Sequence, residues 1–268
     1  MHLRGIFGWA GLALGALSAR ASVSWDQLEA LPKPPPDQTI AYGPAPAQEI
    51  DVRLPSGDGL RPVVLLIHGG CWLNSFDRGY MGYLADALCK RGWATFNVEY
   101  RRVGDPGGGW PGSFEDILKA YAWILGRKTE WRLDPTRIII AGHSAGGQLA
   151  LLLAEREPLI RGVVGLAAIT DLRSYQAEPT GCGEGARAFA GPAAVEQADP
   201  MSLPLPKARI VLISGSRDTI VPARYAARYA ARDSAMAAPV LMGAGHFDLV
   251  APISPVWDQV IEIFQQFK

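Results

Sequence analysis

Ile138-Ile139-Ile140-Ala141-Gly142-His143-Ser144-Ala145-Gly146-Gly147 decides how this chain folds. It opens as an apolar, β-branched run suited to a strand buried on both faces. It turns at Gly142-His143-Ser144-Ala145-Gly146. It continues as Gln148 to Glu155, whose leucines and alanines read as a helix. Strand, G-x-S-x-G turn and helix in that order form a nucleophile elbow. The spacing has a chemical reason. A serine on a tight turn presents its hydroxyl beyond the sheet edge, and the flanking glycines let backbones cross closely. The following helix aims its first N–H groups and positive dipole end at the same place, where an oxyanion can be held.

On either side of this stretch, strands alternate with helices. Thr39 to Tyr42 and Gln48 to Leu54 read as early strands. Val63 to Ile67, Ala94 to Val98, Val163 to Ile169, Arg209 to Ser214 and Val240 to Met242 read as further ones. Helical spacing covers Tyr80 to Arg91, Ser113 to about Arg127, Ala223 to Ala231 and Pro255 to Phe267. Ser113-Phe114-Glu115-Asp116 has a capping-box pattern. The alternation predicts an α/β chain with a doubly wound, mostly parallel sheet and helices on both faces. Asp171 to Lys207 is irregular, with short helices at most, so any lid is small. Sites in such sheets gather at the carboxyl ends of strands.

A serine hydroxyl needs a base. Of the four histidines, His246 lies in Met242-Gly243-Ala244-Gly245-His246-Phe247, after the last strand, and is the candidate. His68 ends a strand and is expected to brace its own loop. His143 is expected to point away from the nucleophile. The base needs a carboxylate to fix its tautomer. Asp218 follows a strand and gives the chain order Ser, Asp, His, with Asp171 as substitute; Asp248 is too near His246 in sequence. Donors for an oxyanion are expected from Ala145 and from Gly70 and Cys71 in His68-Gly69-Gly70-Cys71-Trp72. Trp72, Trp110 and Phe247 fall on loops beside these residues, as pocket walls or as packing.

The 268 residues carry 26 basic and 26 acidic side chains, so no basic face suggests nucleic acid as a partner. The first 21 residues read as a signal peptide, with Ile6 to Leu17 apolar and Ala19-Arg20-Ala21 as cleavage site. A secreted or periplasmic protein, without stable membrane insertion, is expected. Residues 22–38 then form a proline-rich arm ahead of a catalytic domain over 39–268. Cys89 is read as a core residue. Cys71 and Cys182, both in loops, are the pair if a disulfide forms. No zinc or redox spacing is present.

His68-Gly69-Gly70-x-Trp72 with Gly142-His143-Ser144-Ala145-Gly146-Gly147 resembles the α/β-hydrolase superfamily, within the esterase/lipase group that carries an HGG-type oxyanion loop. The resemblance runs from Ile50 to the C-terminus. It extends to bacterial carboxylesterases and to the kynurenine formamidase-like branch. Cys71 and Trp72 stand where the hormone-sensitive-lipase pattern shows further glycine. The resemblance implies hydrolysis of small-molecule carboxylic esters of small to medium acyl chain, without metal or cofactor. The alternatives are arylformamide hydrolysis and, from another class, a non-catalytic hydrolase-fold binding protein.

Overall fold

The computed structural model describes residues 22–268 and contains an eight-stranded sheet. The strands are β1 (Gln38–Ala41), β2 (Glu49–Arg53), β3 (Arg61–Ile67), β4 (Ala94–Val98), β5 (Leu133–His143), β6 (Ile160–Leu166), β7 (Arg209–Gly215) and β8 (Val240–Leu241). Their order across the sheet is β1-β2-β4-β3-β5-β6-β7-β8. The first two pairings are antiparallel and all later ones parallel. The helices are α1 (Trp25–Glu29), α2 (Gly82–Cys89), α3 (Gly112–Gly126), α4 (Ala145–Arg156), α5 (Leu172–Tyr175), α6 (Gly183–Phe189), α7 (Val195–Ala198), α8 (Arg224–Ala230) and α9 (Trp257–Gln265). Among the described residues, no helix is long and apolar enough to cross a membrane.

The direction of each crossover places the helices. The chain leaves β3 through α2 and steps to β4 on one side. It returns through α3 over β3 to β5, then continues through α4 to β6 on the other side. Right-handed crossovers put α2 on one face and α3 and α4 on the opposite one. The packing agrees: α2 touches α9, and α3 touches α4. The loops leaving the adjacent strands β3 and β5 therefore diverge to opposite faces. That divergence opens a crevice at their carboxyl ends, the switch point where such sheets bind ligands.

The central strands are apolar because both faces are covered. Val63 to Ile67 and Ile138 to Ala141 are buried throughout. Aligned registers bring Leu66 opposite Ala141 and Ile67 opposite Gly142, so the ends of β3 and β5 finish level.

Several expected boundaries shift. The predicted capping box at Ser113 is absent. Helix α3 starts at Gly112, and Ser113 is buried with its hydroxyl donating to the Arg101 carbonyl. Asp116 accepts from the Arg101 guanidinium at 2.7 and 2.8 Å and from Gln48, so it locks the loop after β4 rather than a helix end. Cys89 is half-buried at the end of α2 rather than in the core. The expected signal peptide, residues 1–21, falls outside the described residues. The arm at 22–38 is not a free lead-in: α1 packs onto the body with Leu28 fully buried. Asp171 to Lys207 holds the short helices α5, α6 and α7, a small cap as expected.

Candidate active site

Ser144 joins β5 to α4 at φ 55°, ψ −119°, a conformation that L-residues rarely adopt. Three backbone bonds fix it there. Its N–H donates to the Leu166 carbonyl at 2.9 Å, and its own carbonyl accepts from Gly147 and Ile169. A Cβ at Gly142 would lie 2.1 Å from the Gly146 carbonyl oxygen, and one at Gly146 would lie 2.1 Å from that of Ile67. The elbow's glycines are therefore required by crossing backbone, the reason inferred from sequence. Ala145 opens α4, so its N–H has no acceptor within the helix.

Asp218 and His246 come from the loops after β7 and β8. The His246 Nδ1 lies 2.7 Å from Asp218 Oδ2. The second carboxylate oxygen accepts the N–H groups of Ile220 and Val221, each at 2.8 Å, which holds the carboxylate still. Since a carboxylate only accepts here, His246 carries its proton on Nδ1 and leaves Nε2 free to act as a base. Ser144 and His246 line one cavity of ≈ 150 Å³ together with Gly70 and Cys71. Asp171 does not reach this place. It caps α5 through Ser174 and pairs with Arg228.

The loop after β3 is shaped by three consecutive residues at positive φ, Gly70 (92°), Cys71 (57°) and Trp72 (59°). His68 braces it as expected. Its Nδ1 faces the Gly69 carbonyl at 2.8 Å and its Nε2 faces Glu99 at 2.7 Å, with the ring stacked on Tyr100. Burial opposes ionisation of Glu99, yet the charge and hydrogen bond of His68, with Arg102 and the Arg78 N–H, hold its carboxyl down at about 2.

His143 departs from expectation. It lines the cavity and sits beneath His246, ring centroids 4.5 Å apart. Its Nε2 meets the His246 carbonyl at 3.2 Å and its Nδ1 meets the Tyr80 hydroxyl at 2.9 Å. A carbonyl can only accept, so the neutral ring carries its proton on Nε2 and accepts from Tyr80. Burial, together with the neighbouring His246, pushes His143 well below the usual histidine range, which keeps it neutral. The Tyr80 oxygen in turn accepts the Gly69 N–H at 2.6 Å. One directed chain of hydrogen bonds thus runs from the loop after β3, under the elbow, to the backbone of His246.

Of the three aromatic candidates, Phe247 lines the cavity; Trp72 and Trp110 do not. The positive φ at Trp72 sends its side chain inward, where it stacks on Phe189 and donates to Gln148 at 3.1 Å. Trp110 stacks on Phe114 beside α3. The remaining walls come from residues the sequence did not single out: Trp25, Phe76, Tyr80, Gly181 and Ile220. Cys71 and Cys182 form a disulfide, so the loop after β3 is tied to the cap, and both cysteines line the cavity. The pairing drawn from loop placement is the one observed.

A family model described as BD-FAE matches residues 50–231. Among curated proteins, the chain is 36% identical over 122 residues to the probable carboxylic ester hydrolase LipM of Mycobacterium tuberculosis, covering 44% of this chain and 28% of that protein. It is 27% identical over 141 residues to the isoprenylcysteine alpha-carbonyl methylesterase ICME of Arabidopsis thaliana, covering 52% and 32%. These matches span only about a third or less of the relatives' own length. Among solved structures, esterase B from Lactobacillus rhamnosis superimposes with a TM-score of 0.72 at 18% identity, over 88% of this chain and 87% of that one. Thermogutta terrifontis esterase 2 phosphonylated by sarin gives 0.71 at 17%, over 86% and 93%. The α/β-hydrolase fold is shared with both.

Proposed function

The chain belongs to the BD-FAE family, and from that premise we propose that it is a carboxylic ester hydrolase working through a covalent acyl-enzyme. One observation carries the reading: a serine strained at the elbow shares a small cavity with a histidine whose Nδ1 is held by a buried carboxylate.

Each group has one task. Ser144 Oγ attacks the ester carbonyl while His246 Nε2 takes its proton. Asp218 keeps the ring in the required tautomer and stabilises the imidazolium that forms. The carbonyl oxygen becomes an oxyanion, held by N–H groups of Ala145, Gly70 and Cys71. His246 then gives its proton to the departing alcohol, leaving Ser144 acylated. Water repeats the sequence and releases the acid. The site is small and apolar, with Trp25, Phe76 and Phe247 around the nucleophile. It suits small to medium acyl groups.

The disulfide supports the further proposal that the protein is exported, since such bonds persist in oxidising compartments. N-terminal sequencing of the protein recovered from its host, starting at Ser22, is the expected result.

The test of function is hydrolysis of p-nitrophenyl esters from acetate to decanoate, with N-formylkynurenine alongside. Short esters are expected to turn over. Ser144→Ala is expected to lose about 10⁴-fold or more in kcat, the scale seen when a triad nucleophile is removed. A folded Ser144→Ala that keeps its rate rejects the mechanism. Preference for the formamide moves the protein to amide hydrolysis.

A further inference from the structure

The cavity at Ser144 holds ≈ 150 Å³. An apolar cavity of about that size accepts one benzene molecule. What limits it is an aromatic wall, and the centre of that wall is a residue from outside the sheet. Trp25, in α1, lies 5.2 Å from Phe76, 5.5 Å from Tyr80 and 5.4 Å from Phe247, measured between ring centroids. All four rings line the cavity. The last three belong to the loops after β3 and β8, beside the oxyanion loop and the base. Trp25 alone is delivered by the N-terminal segment.

That segment is fastened where it matters. Ser24 caps α1 with a reciprocal capping box to Gln27. Leu28 is fully buried, and the Tyr83 hydroxyl donates to the Leu31 carbonyl at 2.7 Å. The Val23 N–H donates to Asp248 Oδ2 at 3.0 Å. The same oxygen accepts the Gly245 N–H at 2.8 Å, next to His246. One buried carboxylate therefore registers the segment against the loop that carries the base. Trp25 is half-buried and lines the cavity.

We propose that Trp25 is the specificity-determining residue of this site: its indole sets the size of the apolar group, about one ring or a short chain, that the substrate may place beside Ser144. The proposal rests on the hydrolase reading given above. Shortening the side chain opens the wall, and long chains gain more than short ones.

The experiment compares wild type, Trp25→Phe and Trp25→Ala on p-nitrophenyl acetate, butyrate, hexanoate, octanoate and decanoate. The readout is the ratio of kcat/KM for octanoate to that for acetate. Pocket discrimination of one methylene runs from about 10- to 200-fold. The ratio is expected to rise at least about tenfold in Trp25→Ala, with Trp25→Phe between. Far-ultraviolet circular dichroism and melting curves of both variants establish folding, and Trp25→Phe, which keeps an aromatic contact, carries the test if Trp25→Ala does not fold. An unmoved ratio in a folded variant overturns the proposal, as does an equal loss on every ester, which belongs to a purely structural residue. If wild type turns over none of the esters, the hydrolase reading fails and this inference fails with it; an active wild type with an unmoved ratio sinks this inference alone.

Discussion

Glu99 shows how one buried charge ties the candidate site to the stability of the fold. It receives the His68 ring, Arg102 and the Arg78 N–H, and is all but inaccessible to water. Its carboxyl stands at about 2 in the folded chain against an ordinary value of 4.5. A depressed acid stabilises the fold while ionised. The contribution is complete above about 4.5 and disappears as pH falls from there through about 2. At 1.36 kcal/mol per unit, the effect is on the order of 3 kcal/mol. Glu99→Gln is therefore expected to be less stable than wild type near neutral pH. In urea unfolding run from pH 7 to pH 2, the gap between the two proteins is expected to narrow below about 4.5. A gap that stays constant across that range rejects the ionic account. The consequence for the site is direct, because Glu99 holds His68, and His68 meets the carbonyl of Gly69, whose N–H is held by Tyr80.

At the scale of elements, the elbow was legible in the sequence because its constraints are local. A β-branched run, two spaced glycines around a serine and a leucine-rich helix each follow from neighbouring residues. Backbone crowding makes the glycines testable. A Cβ on Gly146 would meet the Ile67 and His68 carbonyl oxygens at 2.1 and 2.4 Å, so β3 or α4 must move. Gly126, at the end of α3, meets nothing within 4 Å. Gly146→Ala is expected to destabilise by at least about 1–3 kcal/mol and to cut activity, as overpacking does. Gly126→Ala is expected to be neutral or to stabilise by up to about 1 kcal/mol. Paired denaturant curves distinguish them, and equal effects contradict the crossing-strand account. What the sequence did not reveal depends on long-range contacts. Trp72 and Phe76 lie four residues apart in one loop, and nothing local says which faces the cavity. The run of positive φ from Gly70 to Trp72 turns Trp72 inward and leaves Phe76 on the wall. Trp25 sits on a helix of five residues after the expected signal sequence, too short to signal a pocket contact. The place of His143 beneath the site is not legible in the sequence, because its contacts with Tyr80 and His246 lie 63 and 103 residues distant.

Across the whole molecule, the sheet brings four strand ends to one crevice, and the Cys71–Cys182 bond fastens what the sheet leaves loose. The cysteines are separated by 111 residues and lie in the loop after β3 and the cap between β6 and β7. Closing so long a loop restricts the unfolded chain, and removal of such native bonds costs about 2–5 kcal/mol. The third cysteine does not compete well for pairing. Burial raises the Cys89 thiol, which lowers its thiolate fraction and slows exchange. Reduction should therefore act at one place with two effects. For a chain of this size, a loss of about 3 kcal/mol lowers Tm by roughly 6–12 °C. Within the same sample, releasing Cys182 frees the cap from the loop expected to supply the Gly70 and Cys71 donors, so ester turnover should fall at temperatures where the chain is still folded. Dithiothreitol on wild type and the double variant Cys71→Ser/Cys182→Ser should give the same Tm, and dithiothreitol should leave the double variant unchanged. If the reductant lowers the melting point of the double variant as much as that of wild type, the bond is not what holds the cap to the site.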